Sequence, residues 1–204
     1  MSRVGKKAER REPEDATHFE FMVALLHIRP RIWRSFLIPI PATFEELHLA
    51  IRDSFGWSEE HLWGFREPGR QGRQLAGPRS FGGWAAFDED MPDARKAKVA
   101  DYFGMKRRGA KCLYIYDFGD NWEHEVRLQG KASDPKKTRR RLLGGERACP
   151  LEDCGGVWGY ERIVEFLDTG EDPDGEDPEE LNEWIGDWRP DEFDLDRQRK
   201  AFDR

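Results

Sequence analysis

Five side chains have the types and spacing that chemistry requires. Asp117 and Asp120 close an Asp-Phe-Gly-Asp run, His124 follows, and Cys149 and Cys154 lie beyond a basic break. Two carboxylates and an imidazole this close in sequence can hold a divalent cation or activate water as a general base. Cys149 and Cys154 stand in a Cys-x4-Cys spacing, which puts two thiolates on Zn²⁺ only if further ligands arrive from elsewhere. His124, Glu146, Glu152 and Asp153 are the available completions. Asp117, Asp120 and His124 are therefore the candidate catalytic residues. His124, Cys149 and Cys154 are the candidate metal ligands, with a divalent metal as the implied cofactor. Each group also has a structural reading. Asp117 and Asp120 can accept backbone N–H bonds around Gly119, His124 shares a strand face with Trp122, Val126 and Leu128, and the cysteines can pack around Pro150 and Gly155-Gly156.

A second chemistry comes from Lys136-Lys-Thr-Arg-Arg-Arg141, five positive charges in six residues. Such a run is a solvated loop or a phosphate contact, since each neutralised phosphate releases counterion. Lys136, Lys137, Arg139, Arg140 and Arg141 are the candidate nucleic-acid-binding residues, with the stretch Arg95 to Lys111 as a neighbouring basic surface. Gly155-Gly156, opening into a helix, can present backbone N–H groups to an anion. The Asp-Phe-Gly run does not make a kinase, because no Gly-rich nucleotide loop, Lys-bearing strand or His-Arg-Asp segment accompanies it.

The elements that must position these groups can be read from periodicity. Phe19, Phe21, Val23 and Leu25 alternate as in a strand, and Ile32 to Ile38 reads as a second. Thr43-Phe-Glu-Glu46 has capping-box form ahead of Phe44, Leu47, Ile51 and Phe55 at helical spacing, with Gly56 as the stop. A short aromatic strand is expected near Trp63 and Phe65, and a long loop from Glu67 to Pro92 with Phe81, Trp84 and Phe87 folding back over the core. Val99 to Phe103 reads as a helical turn. Leu113–Tyr116 and Trp122–Leu128 read as a hairpin, with Gly119 supplying a positive φ at the turn. Helices are expected from Tyr160 to Leu167, after Asp177-Pro178, and around Phe202.

These elements predict an α+β fold: one domain, residues 17–204, in which an antiparallel sheet carries packed helices, preceded by a charged tail at residues 1–16 too poor in apolar groups to order itself. The 204 residues, 37% apolar and 37% charged, suit one soluble core, and no apolar run is long enough for a membrane span. The charged N-terminus lacks the apolar segment of a secretory signal, and three cysteines do not make a disulfide framework, so the expected compartment is the cytoplasm, with no membrane partner. The net charge of −7 is segregated: from Glu165 to Asp196 Arg189 is the only base.

Taken in order, Trp33-Arg34, Leu47-His48, Phe55-Gly56-Trp57, His61-Leu62, Tyr116-Asp-Phe-Gly-Asp120, Trp122, His124, Cys149-Pro150, Glu152-Asp-Cys-Gly-Gly156 and Gly159-Tyr160 resemble the plasmid pRiA4b ORF-3-like family. The resemblance spans about Phe19 to Phe193. It implies an α+β protein of bacteria or archaea, often labelled a TnpR-type passenger protein of insertion elements, without an established activity. A literal resolvase would need a nucleophile among clustered arginines and a helix-turn-helix reader. The sequence shows neither. The expectation is a binding or regulatory module associated with mobile genetic elements and contacting nucleic acid through the basic loop. The alternative is a metal-assisted hydrolase or nuclease using Asp117, Asp120 and His124.

Overall fold

The computed structural model describes residues 12–58, 61–81, 84–85, 91–134, 136, 138–175 and 177–203. Strand β1 (His18–Leu25) is central to the sheet because its alternation is clean: Phe19, Phe21, Val23 and Leu25 are all at most 2% exposed. Burying side chains of this size contributes about 1.5–3 kcal/mol each. On one side β1 pairs antiparallel with β2 (Trp33–Pro39), and on the other with β8 (Trp122–Ala132). Beyond β8 come β7 (Lys111–Tyr116), β3 (Trp63–Arg66) and β4 (Gln74–Ala76), and beyond β2 comes β9 (Arg141–Glu146), giving the order β4-β3-β7-β8-β1-β2-β9, while β5 (Ser80–Phe81) and β6 (Trp84–Ala85) pair separately. Every pairing in this sheet is antiparallel.

Helix α1 (Phe44–Phe55) begins as the capping box requires. Glu46 N–H donates to Thr43 Oγ1 at 3.1 Å and Thr43 N–H to Glu46 Oε2 at 2.9 Å, while Gly56 ends the helix at φ 92°. Such a cap is worth about 1 kcal/mol. Phe44, Leu47, Ile51 and Phe55 are buried in the main core. A short helix α2 (Val99–Phe103) seats Phe103 against Phe21. Helix α3 (Gly156–Thr169) starts earlier than its apolar stripe predicts, and α4 (Pro178–Ile185) is capped by Asp177, which accepts from Glu179 N–H at 2.9 Å. The second, smaller cluster, Ile163, Phe166 and Ile185, joins α3 to α4. Helix α5 (Leu195–Phe202) packs Phe202 on Phe36 with ring centroids 5.5 Å apart. Among the described residues no helix is long and apolar enough to cross a membrane.

Two expectations are corrected. Arg141, read as the end of the basic loop, instead opens edge strand β9, whose following residues 142–146 periodicity assigns to no element. Its sequence, Arg-Leu-Leu-Gly-Gly-Glu, lacks alternation because pairing, not propensity, holds it: a Cβ on Gly145 would lie 2.7 Å from Arg34 Cδ, 2.7 Å from Phe193 Cζ and 2.9 Å from the Trp33 carbonyl. Its outer edge is covered by α5 and the residue after it, since Leu142 N–H donates to Asp203 Oδ1 at 2.8 Å and Arg199 Nε to the Leu142 carbonyl at 3.0 Å. At the β7–β8 turn the left-handed residues are Asp117 (φ 55°) and Asn121 (φ 54°) rather than Gly119, Asp and Asn being the non-glycine types that tolerate that region best. The return of Phe81, Trp84 and Phe87 over the core concerns side chains outside the described part of the structure, as do residues 1–11 of the expected tail.

Candidate metal centre

The β7–β8 turn carries Asp117 out of Tyr116 into the left-handed region, which swings the carboxylate back over the turn. Gly119 N–H donates to Asp117 Oδ1 at 2.8 Å, the side-chain-to-backbone turn expected of this residue type. The other oxygen, Oδ2, lies 3.4 Å from His61 Nδ1. His61 is there because β3 pairs with β7 in a register setting Trp63 opposite Tyr116, and the Asp117 N–H donates to the Leu62 carbonyl at 2.8 Å just beyond the ladder.

The third participant comes from the loop between β9 and α3. Trp188 Nε1 donates to the Cys149 carbonyl at 2.8 Å and Trp57 Nε1 to the Pro150 carbonyl at 3.2 Å. Glu152 is gripped by Ser58 N–H at 3.1 Å and by the Tyr116 hydroxyl at 2.5 Å. Asp120, expected to serve its own turn, instead accepts the Gly155 N–H at 3.2 Å, and the Asp120 carbonyl leaves only 2.6 Å to a Cβ built on Gly156. Between these anchors Asp153, at φ 57°, places Oδ1 3.3 Å from His61 Nε2. His61, Asp117 and Asp153 thus offer one imidazole nitrogen and two carboxylate oxygens within 4.8 Å of one another. Their burial is graded: the Asp117 side chain is 12% exposed, His61 20% and Asp153 71%.

Of the residues proposed from sequence, the structure gathers Asp117, Asp120 and the Cys149–Cys154 loop in one place. His124 it places elsewhere. That residue is 0% exposed, set between Phe55, Trp57 and Tyr114, with Nδ1 3.0 Å from the Trp122 carbonyl. Burial pulls its pKa down to about 3, so it is neutral, and no donor of the candidate cluster adjoins it. It lies within the aromatic core, apart from the His61, Asp117 and Asp153 cluster. Cys149 and Cys154 are free, partly buried thiols. Burial pushes Cys149 well above the usual thiol range and Cys154 to about 12, with the Asp120 carboxylate adding to the latter. Buried Cys112 is core, as expected.

The basic loop folds back on its own chain. Arg139 binds Glu46, Arg140 binds Asp53 and the Phe202 carbonyl while lying over the Phe202 ring, and Arg141 binds Asp134 at 3.2 Å. Burial works against the Asp134 charge, but hydrogen bonds from Thr138 and the Lys136 amide, with Arg141, outweigh it and hold the group at about 2. Lys136 is exposed, and Lys137 lies outside the described residues.

His61 was the residue that pattern reading passed over as a site. The signal was present in the ordered motif, but its meaning depends on β3 being the neighbour of β7. The family model of plasmid pRiA4b ORF-3-like proteins matches residues 17–197. The chain belongs to the plasmid pRiA4b ORF-3-like family. Protein y4hQ of Sinorhizobium fredii (strain NBRC 101917 / NGR234) is 31% identical over 169 residues, 80% of this chain and 78% of that protein. MM3350 from Methanosarcina mazei Go1, solved by crystallography, shares 32% identity and a TM-score of 0.72, covering 89% of this chain and 97% of that one. The first is described as uncharacterized and the second as of unknown function, so the family brings a fold here and not an activity.

Proposed function

We propose that this family member is a divalent-metal-binding protein whose ion is held by His61, Asp117 and Asp153 and supports hydrolytic chemistry. The observation that supports it is the meeting of these three donors from three separate segments within 4.8 Å. Protein donors to such an ion sit at about 2.0–2.2 Å, so two of them on one ion are typically some 3 Å apart. The 3.4 Å and 3.3 Å approaches of Asp117 and Asp153 to the His61 ring are close to that span, and the exposed Asp153 is the member able to adjust. An ion takes one ring nitrogen. The carboxylate on the other nitrogen then fixes the tautomer, so both aspartates act on the centre whichever nitrogen ligates. One nitrogen with one directly ligating carboxylate oxygen, completed by water, suits manganese, iron, cobalt or zinc. An ion so held by these residues would supply Lewis acidity toward water near neutral pH.

Metal analysis of untagged protein, with calorimetric titration of Mn²⁺ and Zn²⁺, tests the reading. About one ion per chain is expected, lost in His61→Ala and Asp153→Ala and kept in Cys154→Ser. Wild-type protein that neither carries nor takes up metal overturns it. The hydrolytic part is read by EDTA-sensitive turnover of phosphoester and carboxyl-ester substrates.

Nucleic-acid contact through the basic loop is less well supported, because Arg139, Arg140 and Arg141 each already hold a carboxylate of this chain and phosphate would have to displace it. Salt-dependent retardation of DNA or RNA, lost on neutralising Lys136 and Lys137, would revive it.

A further inference from the structure

Tyr116 touches every arm of the candidate centre. It is covalently adjacent to Asp117. Its ring meets the His61 ring edge-on, with centroids 5.7 Å apart at 84°. Its hydroxyl donates to Glu152 Oε1 at 2.5 Å, and Glu152 precedes Asp153 in the chain. The same hydroxyl lies 2.7 Å from the Ser58 carbonyl, on the segment leading to His61, and Ser58 N–H returns to Glu152 Oε2. Behind it Trp57 stacks on the Tyr116 ring at 4.7 Å and 12° while its own indole N–H holds the Pro150 carbonyl of the same loop. The Tyr116 side chain is 1% exposed and Glu152 is partly buried, so these contacts are partly shielded from water, and a charge-assisted bond to a carboxylate is directional.

A side chain solely filling the core would need no hydroxyl. Phenylalanine would stack on Trp57 and meet His61 equally well. The hydroxyl adds a link between two segments that are more than ninety residues apart in sequence and that each bring one donor: Ser58 leads to His61 and Glu152 leads to Asp153. We infer that Tyr116, through its hydrogen bond to Glu152, is the positioning residue that sets Asp153 against His61. It does not itself touch the ion. The inference rests on the metal reading above, and it adds which hydrogen-bonded pair determines the ligand geometry.

The test uses the full chain with Co²⁺, whose visible spectrum reports ligand geometry, and Zn²⁺ titration for affinity. Tyr116→Phe removes the hydroxyl and keeps the ring. The metal dissociation constant should rise about 10- to 100-fold, the usual consequence of removing a residue that orients a ligand, and the Co²⁺ bands should shift. Glu152→Ala should do the same, Glu152→Gln should restore part of the affinity because its one amide oxygen keeps only one of the two bonds, from Tyr116 or from Ser58 N–H, and Tyr116→Phe/Glu152→Ala should be little worse than either single change. A merely structural role would lower the melting temperature of the metal-free protein and leave affinity and spectrum alone. If the wild type binds metal and Tyr116→Phe binds within twofold with an unchanged spectrum, the positioning role is overturned while the metal site stands. If Tyr116→Phe does not fold, the Glu152→Ala and Glu152→Gln pair decides by the same criterion. A wild type without metal removes the site itself.

Discussion

His48 Nδ1 and the Tyr114 hydroxyl lie 2.8 Å apart, and the His48 ring stacks on Trp63 at 3.8 Å and 6°, so α1 is bound to the sheet by a buried imidazole held between two aromatic residues. Burial, with help from Arg52, pulls the His48 pKa to about 3, and burial brings His124 to about 3 as well. In the unfolded chain both titrate near ~6.5. The unfolded state therefore binds more protons between these values, and stability falls as pH drops from about 6.5 toward 3, at up to about 1.4 kcal/mol per pH unit for each histidine. Urea unfolding at pH 7.5 and pH 5 should show a loss of about 3–4 kcal/mol. Equal stability at the two pH values would mean that these rings accept protons in the folded protein.

Gly145 and Gly144 make a matched pair on β9. Gly145→Ala drives a methyl into Arg34, Phe193 and the Trp33 carbonyl, all under 3.0 Å, whereas a Cβ on Gly144 meets Trp33 at an ordinary 3.7 Å. Gly145→Ala should destabilise by about 1–3 kcal/mol in denaturant titration, and Gly144→Ala by much less. Equal effects would argue against the close approach of β2, β9 and the Phe193 segment.

Within the basic loop, stability should depend on which charge is removed. The Arg140 side chain is 13% exposed and engages Asp53, the Phe202 carbonyl and the Phe202 ring, so Arg140→Gln leaves Asp53 with a lost partner and should cost about 2–4 kcal/mol. Exposed Lys136→Gln should change melting temperature little. A loop devoted to phosphate would show the reverse ordering in binding and no difference in stability.

Metal should also stabilise the fold it assembles on. At a hundredfold excess of free ion over its dissociation constant, binding to the native state adds about 2.7 kcal/mol. The melting temperature of the wild type should rise on adding Zn²⁺ or Mn²⁺ and return on adding EDTA, while Asp153→Asn should barely respond. A rise of the same size in both proteins would place the ion elsewhere.

Much of this protein could be read from residue order. The alternation of Phe19, Phe21, Val23 and Leu25, the Thr43–Glu46 capping box and the Asp177-Pro178 cap are local devices, and the strand and helices they predict are observed. The hairpin of β7 and β8, with Trp122, Val126 and Leu128 buried, is equally local. What local pattern could not supply was β9, whose glycines and arginines have no strand signature, and the fate of the basic loop, where Arg139, Arg140 and Arg141 look free until Glu46, Asp53 and Asp134 are seen beside them.

The same division runs through the candidate centre. Sequence determined that carboxylates would crowd the Asp117–Asp120 turn and that two thiols would sit on a Gly-rich loop, while the contact between loop and turn is made in the tertiary structure, where Asp120 accepts the Gly155 N–H. It also put His124 on an apolar face, by period two, without saying whether that face was lined by ligands or by rings. Tertiary structure decided both matters. Phe55, Trp57 and Tyr114 enclose His124 because the inward face of β8 meets α1 and its following segment, while the pairing of β3 with β7 brings His61, far away in sequence, against Asp117 and Asp153. Strand order is set by the burial of the whole sheet, a sum over long-range contacts that no single segment carries, and the imidazole that reaches the centre is therefore the one that strand order delivers.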